Sequence, residues 1–269
     1  LLLALILSSL SACHFVRDSR SLHQQLAFDS GFQRIDYSID GFDLLTYQRI
    51  NNPDDALIHV YLEGDGRSWL NRYRISDDPT PTQALVLNMA VQDPADNVIY
   101  LSRPCQFIGA DKLPCRPELW TSERYSKEIV DILSRAIDIQ KNATGIKGLH
   151  LIGYSGGGTI AALLAALRND VMHFTTVAAN LDHQTWTALH GDSPLNGSLN
   201  PVDFAKKLQS IKQFHFVGTE DKVVPPVVLK SYLSKVFADR EKPMMLVKEY
   251  DHQCCWAENW PRLIQTIPK

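Results

Sequence analysis

Apolar residues along this chain follow two rhythms, and where each rhythm starts and stops predicts the elements. The runs Phe32-Gln-Arg-Ile-Asp-Tyr-Ser-Ile39 and Phe42-Asp-Leu-Leu-Thr-Tyr-Gln-Arg-Ile50 read as strands joined by Asp40-Gly41. Asp-Gly between two such runs predicts a β-hairpin, because both residues tolerate the positive φ of a tight turn. The largely apolar run Ala56-Leu-Ile-His-Val-Tyr-Leu62 predicts a buried strand that ends in Glu63-Gly-Asp-Gly66. Residues 82–91 then predict a helix, 97–101 a strand and 123–141 the longest helix. In that helix Ile129, Ile132, Leu133, Ala136 and Ile137 recur at the 3.6-residue spacing of a stripe packed on a sheet. Strands predicted at 149–152, 174–179, 214–217 and 244–250 alternate with helices at 159–168, 227–237 and 258–267. A Gly/Pro/Asn-rich connection runs from the 174–179 strand to Pro201. The alternation predicts an α/β protein: a mostly parallel central sheet with helices on both faces and an N-terminal antiparallel hairpin.

Composition narrows this picture. At 269 residues and 45% hydrophobic content, the chain can bury one full core, read as a single domain over 31–269. The net charge is −3 and no Lys/Arg block occurs, which argues against nucleic acid as a partner.

The first ten residues, Leu1-Leu-Leu-Ala-Leu-Ile-Leu-Ser-Ser-Leu10, are uncharged and mostly apolar. A bilayer-spanning helix needs about 20 such residues, so this run is too short. It resembles the h-region of a secretory signal lacking its Met and basic start, and a truncated leader is expected. The following Leu10-Ser11-Ala12-Cys13 resembles a bacterial lipobox. That resemblance implies cleavage after residue 12, lipidation of the Cys13 thiol and a lipidated tether over 13–30. It places the protein in the bacterial cell envelope, anchored to a membrane by acyl chains worth ~0.8 kcal/mol per buried CH₂. An ordinary signal peptide with a coincidental Cys is the alternative.

Setting Cys13 aside leaves Cys105, Cys115, Cys254 and Cys255, an even number that allows three pairings. A local Cys105–Cys115 bridge is the first expectation. Cys254 and Cys255 form a vicinal bridge or stay as buried thiols. No C-x-x-C spacing favours a metal or redox role, and neither metal nor organic cofactor is expected.

The candidate chemistry centres on Gly153-Tyr-Ser-Gly-Gly157, set between an apolar strand and a small-residue helix. Cβ atoms at Gly153 and Gly157 would collide in so sharp a turn. This arrangement resembles the nucleophile elbow of the α/β-hydrolase fold, and the resemblance extends over roughly residues 30–269. It implies a nucleophilic Ser155, followed in chain order by an acid and a histidine in loops after strands. Gly218-Thr-Glu-Asp-Lys-Val-Val-Pro-Pro226 is similar to the family's acid turn, with Asp221 at the acid position. His252, in Asp251-His-Gln253 after the last strand, takes the place of the base. Each has a plainer reading: Asp221 as a turn residue, His252 as a packed histidine beside Cys254-Cys255-Trp256. Glu220 and Asp182 are the competing acids, the latter at a position that some lipases use. His59, His150 and His215 fall within strands.

The resemblance also implies an oxyanion hole made by the N–H of Gly156 and a second N–H from the Glu63-Gly-Asp-Gly66 loop. Glu63 replaces the usual His there, so Gly64 and Asp65 both remain open as the donor. The carboxylates of Glu63 and Asp65 are expected to turn away and bond the loop, and a plain Gly turn is the competing reading. Two inserts, 103–122 and 183–200, are expected to frame a shallow site, with Trp120 and Trp186 in either packing or pocket roles. The whole pattern reads as a membrane-anchored serine hydrolase, esterase/lipase-like or peptidase-like. It would act on a small-molecule or peptide ester, thioester or amide. An acyltransferase with the same triad, or a non-catalytic envelope-binding lipoprotein on a hydrolase scaffold, are the alternatives.

Overall fold

A computed structural model describes residues 19–238 and 242–268; the lipobox and Cys13 lie outside them. The chain opens with α1 (Ser19–Asp29), then β1 (Gln33–Ile39) and β2 (Phe42–Ile50) pair antiparallel. Their turn is the predicted one, with positive φ at both Asp40 (52°) and Gly41 (85°). After β3 (Leu57–Leu62) a small antiparallel hairpin, β4 (Trp69–Asn71) and β5 (Arg74–Ile75), precedes α2 (Leu85–Val91) and β6 (Asn97–Leu101). There follow α3 (Lys127–Thr144), β7 (Gly148–Tyr154), α4 (Gly156–Leu167), β8 (Val171–Val177), α5 (His183–His190) and α6 (Ala205–Leu208). The chain closes with β9 (Lys212–Gly218), α7 (Pro226–Phe237), β10 (Met244–Val247) and α8 (Trp256–Leu263).

Among the described residues the main sheet has eight strands in the order β1-β2-β6-β3-β7-β8-β9-β10. Every pairing from β6 to β10 is parallel, and only the β1–β2 and β2–β6 pairings are antiparallel. One apolar layer packs α3, α4 and α7 on one face through Ile129, Leu133, Leu163, Leu164 and Leu229. The other face is covered by α1, α2 and α8 through Ala27, Leu87, Trp256 and Trp260. Because the strands are parallel, β3, β7, β9 and β10 all end at one rim, the edge where open α/β sheets carry their sites.

Most boundaries that differ from expectation have a local cause. α3 starts at Lys127 because Ser126 caps it, accepting from Ile129 N at 3.3 Å, and Gly145 (φ 77°) ends it. Residues 183–190, expected as connection, are helical because Asp182 accepts from Thr185 N at the start and Gly191 (φ 64°) closes the end. The expected tether is helical from Ser19 and docked. α1 buries His23 and Ala27, and Arg20 Nε donates to the Phe107 carbonyl at 2.9 Å.

Candidate active site

Ser155 occupies a backbone corner that few side chains adopt, φ 51° and ψ −123°, between the end of β7 and the first residue of α4. Such a conformation costs about 1–3 kcal/mol and persists only where its surroundings fix it. Here Ser155 N donates to Val177 O at 2.9 Å and Ser155 O accepts from Gly158 N at 3.0 Å. A Cβ on Gly153 would overlap the Gly157 carbonyl, and one on Gly157 would overlap the Leu62 carbonyl. Only glycine lets α4 start this close to β3 and β7.

The structure brings Asp221 and His252 to the same corner. His252 Nε2 lies 3.0 Å from Ser155 Oγ, and His252 Nδ1 lies 2.9 Å from Asp221 Oδ2. A carboxylate can only accept, so Nδ1 carries the ring proton and Nε2 is left to accept from the Ser155 hydroxyl. The other oxygen of Asp221 accepts from Val223 N (2.9 Å) and Val224 N (2.8 Å), which sets the carboxylate's angle. Its side chain is fully buried, while the His252 side chain keeps 14% exposure. The backbone beneath His252 is held from two sides: its carbonyl accepts from Tyr154 OH at 2.8 Å and from Trp256 Nε1 at 3.1 Å. Trp256 is therefore buried support under the histidine.

Asp182 lies elsewhere. Its buried carboxylate accepts from Thr185, Ser231 and Lys235, capping α5 and tying it to α7. Burial alone would raise its pKa, but Lys235 and these hydroxyls outweigh that and take it well below the usual carboxylate range. Glu220 is exposed.

The two candidate amides of the loop after β3 differ in their hydrogen bonding. Gly64 N donates to the carboxyl of its own neighbour Glu63 at 2.9 Å, so it is already engaged. Asp65 N and Gly156 N donate to no other described residue. Glu63 bonds its own loop, as expected, whereas Asp65 bonds side chains outside the loop and lies against Gly156. Glu63 also accepts from Tyr100 OH at 2.6 Å, and burial pushes its pKa up to about 7. Asp65 accepts from Arg103, Arg124 and Tyr125; burial alone would raise its pKa, but the two guanidiniums bring it below the ordinary value. A Cβ on Gly156 would overlap this Asp65 carboxylate.

A cavity of about 450 Å³ opens over Ser155, lined among others by Asp65, Trp69, Arg124, Trp186 and His252. Trp186, from the second insert, faces the cavity, with Nε1 donating to Val223 O at 2.7 Å. Trp120 is a core residue that donates to Ser76 O. The first insert is stapled where Cys105 and Cys115 approach to bonding distance, Cα atoms 5.7 Å apart, and Cys254 and Cys255 are likewise paired. Sequence reasoning missed Trp69 and Arg124. Trp69 stands in a stretch without periodicity and Arg124 falls at the start of the helix expected over 123–141, which begins only at Lys127, so only their place in the cleft marks them. Among the described residues no group of three or more His, Cys, Asp or Glu is placed to hold a metal ion, and no helix is long and apolar enough to cross a membrane.

No protein-family model matches the sequence, and no curated protein matches it. Solved structures do match in shape. Est1E from Butyrivibrio proteoclasticus superimposes with a TM-score of 0.60 at 12% identity, over 86% of this chain and 97% of its own. The acylaminoacyl peptidase of Pyrococcus horikoshii gives 0.63 at 14% identity, over 88% of this chain but 40% of its own, so this chain spans less than half of that protein. An esterase of Pyrococcus furiosus gives 0.59 at 13% identity, over 89% and 91%. With its mostly parallel sheet, its two helical layers and its strand-to-helix corner at Ser155, the chain has the α/β-hydrolase fold.

Proposed function

We propose that this chain is a membrane-anchored serine hydrolase that cleaves an ester, thioester or amide through an acyl-enzyme on Ser155. The observation that carries the reading is the unbroken hydrogen-bond line Ser155–His252–Asp221, at 3.0 and 2.9 Å. Ser155 Oγ attacks the substrate carbonyl as His252 Nε2 takes its proton, and Asp221 stabilises the imidazolium that forms. The oxyanion is held by Gly156 N–H, at the positive end of α4, and by Asp65 N–H, since Gly64 N–H is spent on Glu63. His252 then returns the proton to the leaving group, and water, activated by the same histidine, releases the acyl group. Among the similar structures, one is named an acylaminoacyl peptidase and another an esterase, which supports a small-molecule or peptide acyl substrate.

A fluorophosphonate probe tests the chemistry. The protein is expected to be labelled, and Ser155→Ala to remain unlabelled; no labelling, or labelling that survives the substitution, overturns the reading. The anchor rests on Leu10-Ser-Ala-Cys13. Labelled palmitate is expected to enter the precursor expressed in a bacterium and to be absent from Cys13→Ser. Equal incorporation would remove the lipid anchor.

A further inference from the structure

The cleft beside Ser155 holds more positive charge than its own acids balance. Asp65 Oδ1 accepts from Arg103 Nη1 at 3.2 Å and Oδ2 from Arg124 Nη1 at 3.0 Å. Two guanidiniums thus share one carboxylate, and among the described residues neither pairs with another acid. Glu63, the other buried acid here, is occupied by Tyr100 and Gly64 N.

The two arginines differ in what they have left to give. Arg103 is turned inward: Nη2 donates to the Arg124 carbonyl, and Nε is sealed from solvent. Arg124 donates through Nε to Thr121 O at 2.6 Å and through Nη1 to Asp65, but Nη2 donates to no described residue. That amino group is not among the sealed polar atoms, although the Arg124 side chain is only 9% exposed. Arg124 lines the 450 Å³ cavity over Ser155 and also a neighbouring cavity of about 620 Å³. Trp69 and Trp186 line both cavities too, so the two spaces meet where these three side chains stand. Arg67 on the inner rim and Arg72 on the outer wall form no ion pair among the described residues; Asp192 and His190 are the other titratable groups of the outer wall.

We propose that Arg124 is a specificity-determining residue whose free guanidinium edge binds a carboxylate on the substrate, with the linking part of the substrate lying against Trp69 and Trp186. A guanidinium half-used by Asp65 is already desolvated and fixed in direction, so the carboxylate gains a charge-assisted hydrogen bond without reorganising the site. Low-dielectric walls strengthen that bond relative to water. Substrates are then acyl compounds that carry an acid in addition to the bond being cleaved. The inference rests on the serine hydrolase reading for its reaction, but not for its binding.

The test compares matched pairs on the full protein. On the acyl side, 4-nitrophenyl hydrogen glutarate, adipate and suberate are each set against their neutral monoamides. On the leaving-group side, 4-carboxyphenyl butyrate is set against 4-carbamoylphenyl butyrate. At least one acid is expected to exceed its neutral partner about tenfold in kcat/KM, chiefly through KM, with the preference fading in salt. Arg124→Gln is expected to erase the preference. Arg124→Lys, which retains the charge against Asp65, is expected to weaken it. Cleavage at parity within every pair overturns the proposal. Binding is read apart from turnover by titrating adipate and adipamide against tryptophan fluorescence. A response to adipate alone that Arg124→Gln removes upholds the subsite even if no ester is cleaved; equal responses, or none, refute it.

Discussion

Glu63 shows at the scale of one residue how burial sets a charge. Its two oxygens accept from Gly64 N and Tyr100 OH, yet burial still raises its pKa from 4.5 to about 7. The folded state therefore holds the proton more tightly than the unfolded chain does. The resulting stability is full below pH 4.5 and is lost as pH rises through 7; it amounts to at most about 3 kcal/mol. Glu63→Gln keeps the shape without the titration, so its urea midpoint is expected to vary less than the parent's between pH 5 and 8. Identical pH slopes in the two proteins would contradict this account. Asp182 makes the complementary case. Its carboxylate is fully buried and accepts from Lys235, Thr185 and Ser231, but Lys235 is nearly half exposed, so Asp182→Asn is expected to cost about 2 kcal/mol in denaturant unfolding. Fluorophosphonate labelling should survive, because the residue makes no contact with His252. An acid after the β8 strand was readable in the sequence, but its partners on α7 were not.

At the scale of elements, the Glu63-Gly-Asp-Gly66 loop is supported from the stapled insert. Gln106, next to Cys105, donates through Nε2 to Gly64 O at 2.9 Å, and its Oε1 accepts from Arg103 N at 3.1 Å. Removing the Cys105–Cys115 link in a double alanine variant is expected to lower stability by up to about 3 kcal/mol, from loop-closure entropy. It should also slow fluorophosphonate labelling, and an unchanged labelling rate would show that the staple does not act on the loop. The start of α4 is stricter. Gly156→Ala would press a methyl group into the Asp65 carboxylate, and labelling is expected to fall at least about 100-fold, the loss typical of a displaced oxyanion donor. Elements with strong local signals were legible: the Asp40-Gly41 hairpin, the α3 stripe and the Ser155 corner. α5 was missed although Asp182 and Gly191 bracket it, because a Pro/Gly-rich context masked the caps. α1 was missed because its buried face, His23 and Ala27, is too slight to show as periodicity.

Across the whole molecule, histidines cross the sheet in register. His59 pairs with His150 and His150 with His173 on β3, β7 and β8. Burial takes His150 well below its usual 6.5, helped by the neighbouring histidines, and burial alone takes His215 on β9 to about 3. These rings stay neutral in the fold but charge in the unfolded chain. Their contribution is complete above pH 6.5 and is lost as pH falls towards 3. Thermal midpoints are expected to drop across that window, and His150→Gln with His215→Gln to flatten the decline; an unflattened decline would place the acid sensitivity elsewhere. The sequence by itself determined the alternation of strands and helices, the sharp corner at Ser155, and the chain order of serine, acid and histidine. These follow from local turn chemistry and from periodicity, and parallel strands then deliver their following loops to one rim. Only the tertiary structure decided that Gly64 N–H is engaged while Asp65 N–H is open, that Trp186 faces the cleft while Trp120 does not, and that Arg103 and Arg124 share Asp65. Those outcomes depend on loops distant in sequence meeting in space, and no local pattern of residues encodes which distant partner a side chain will find.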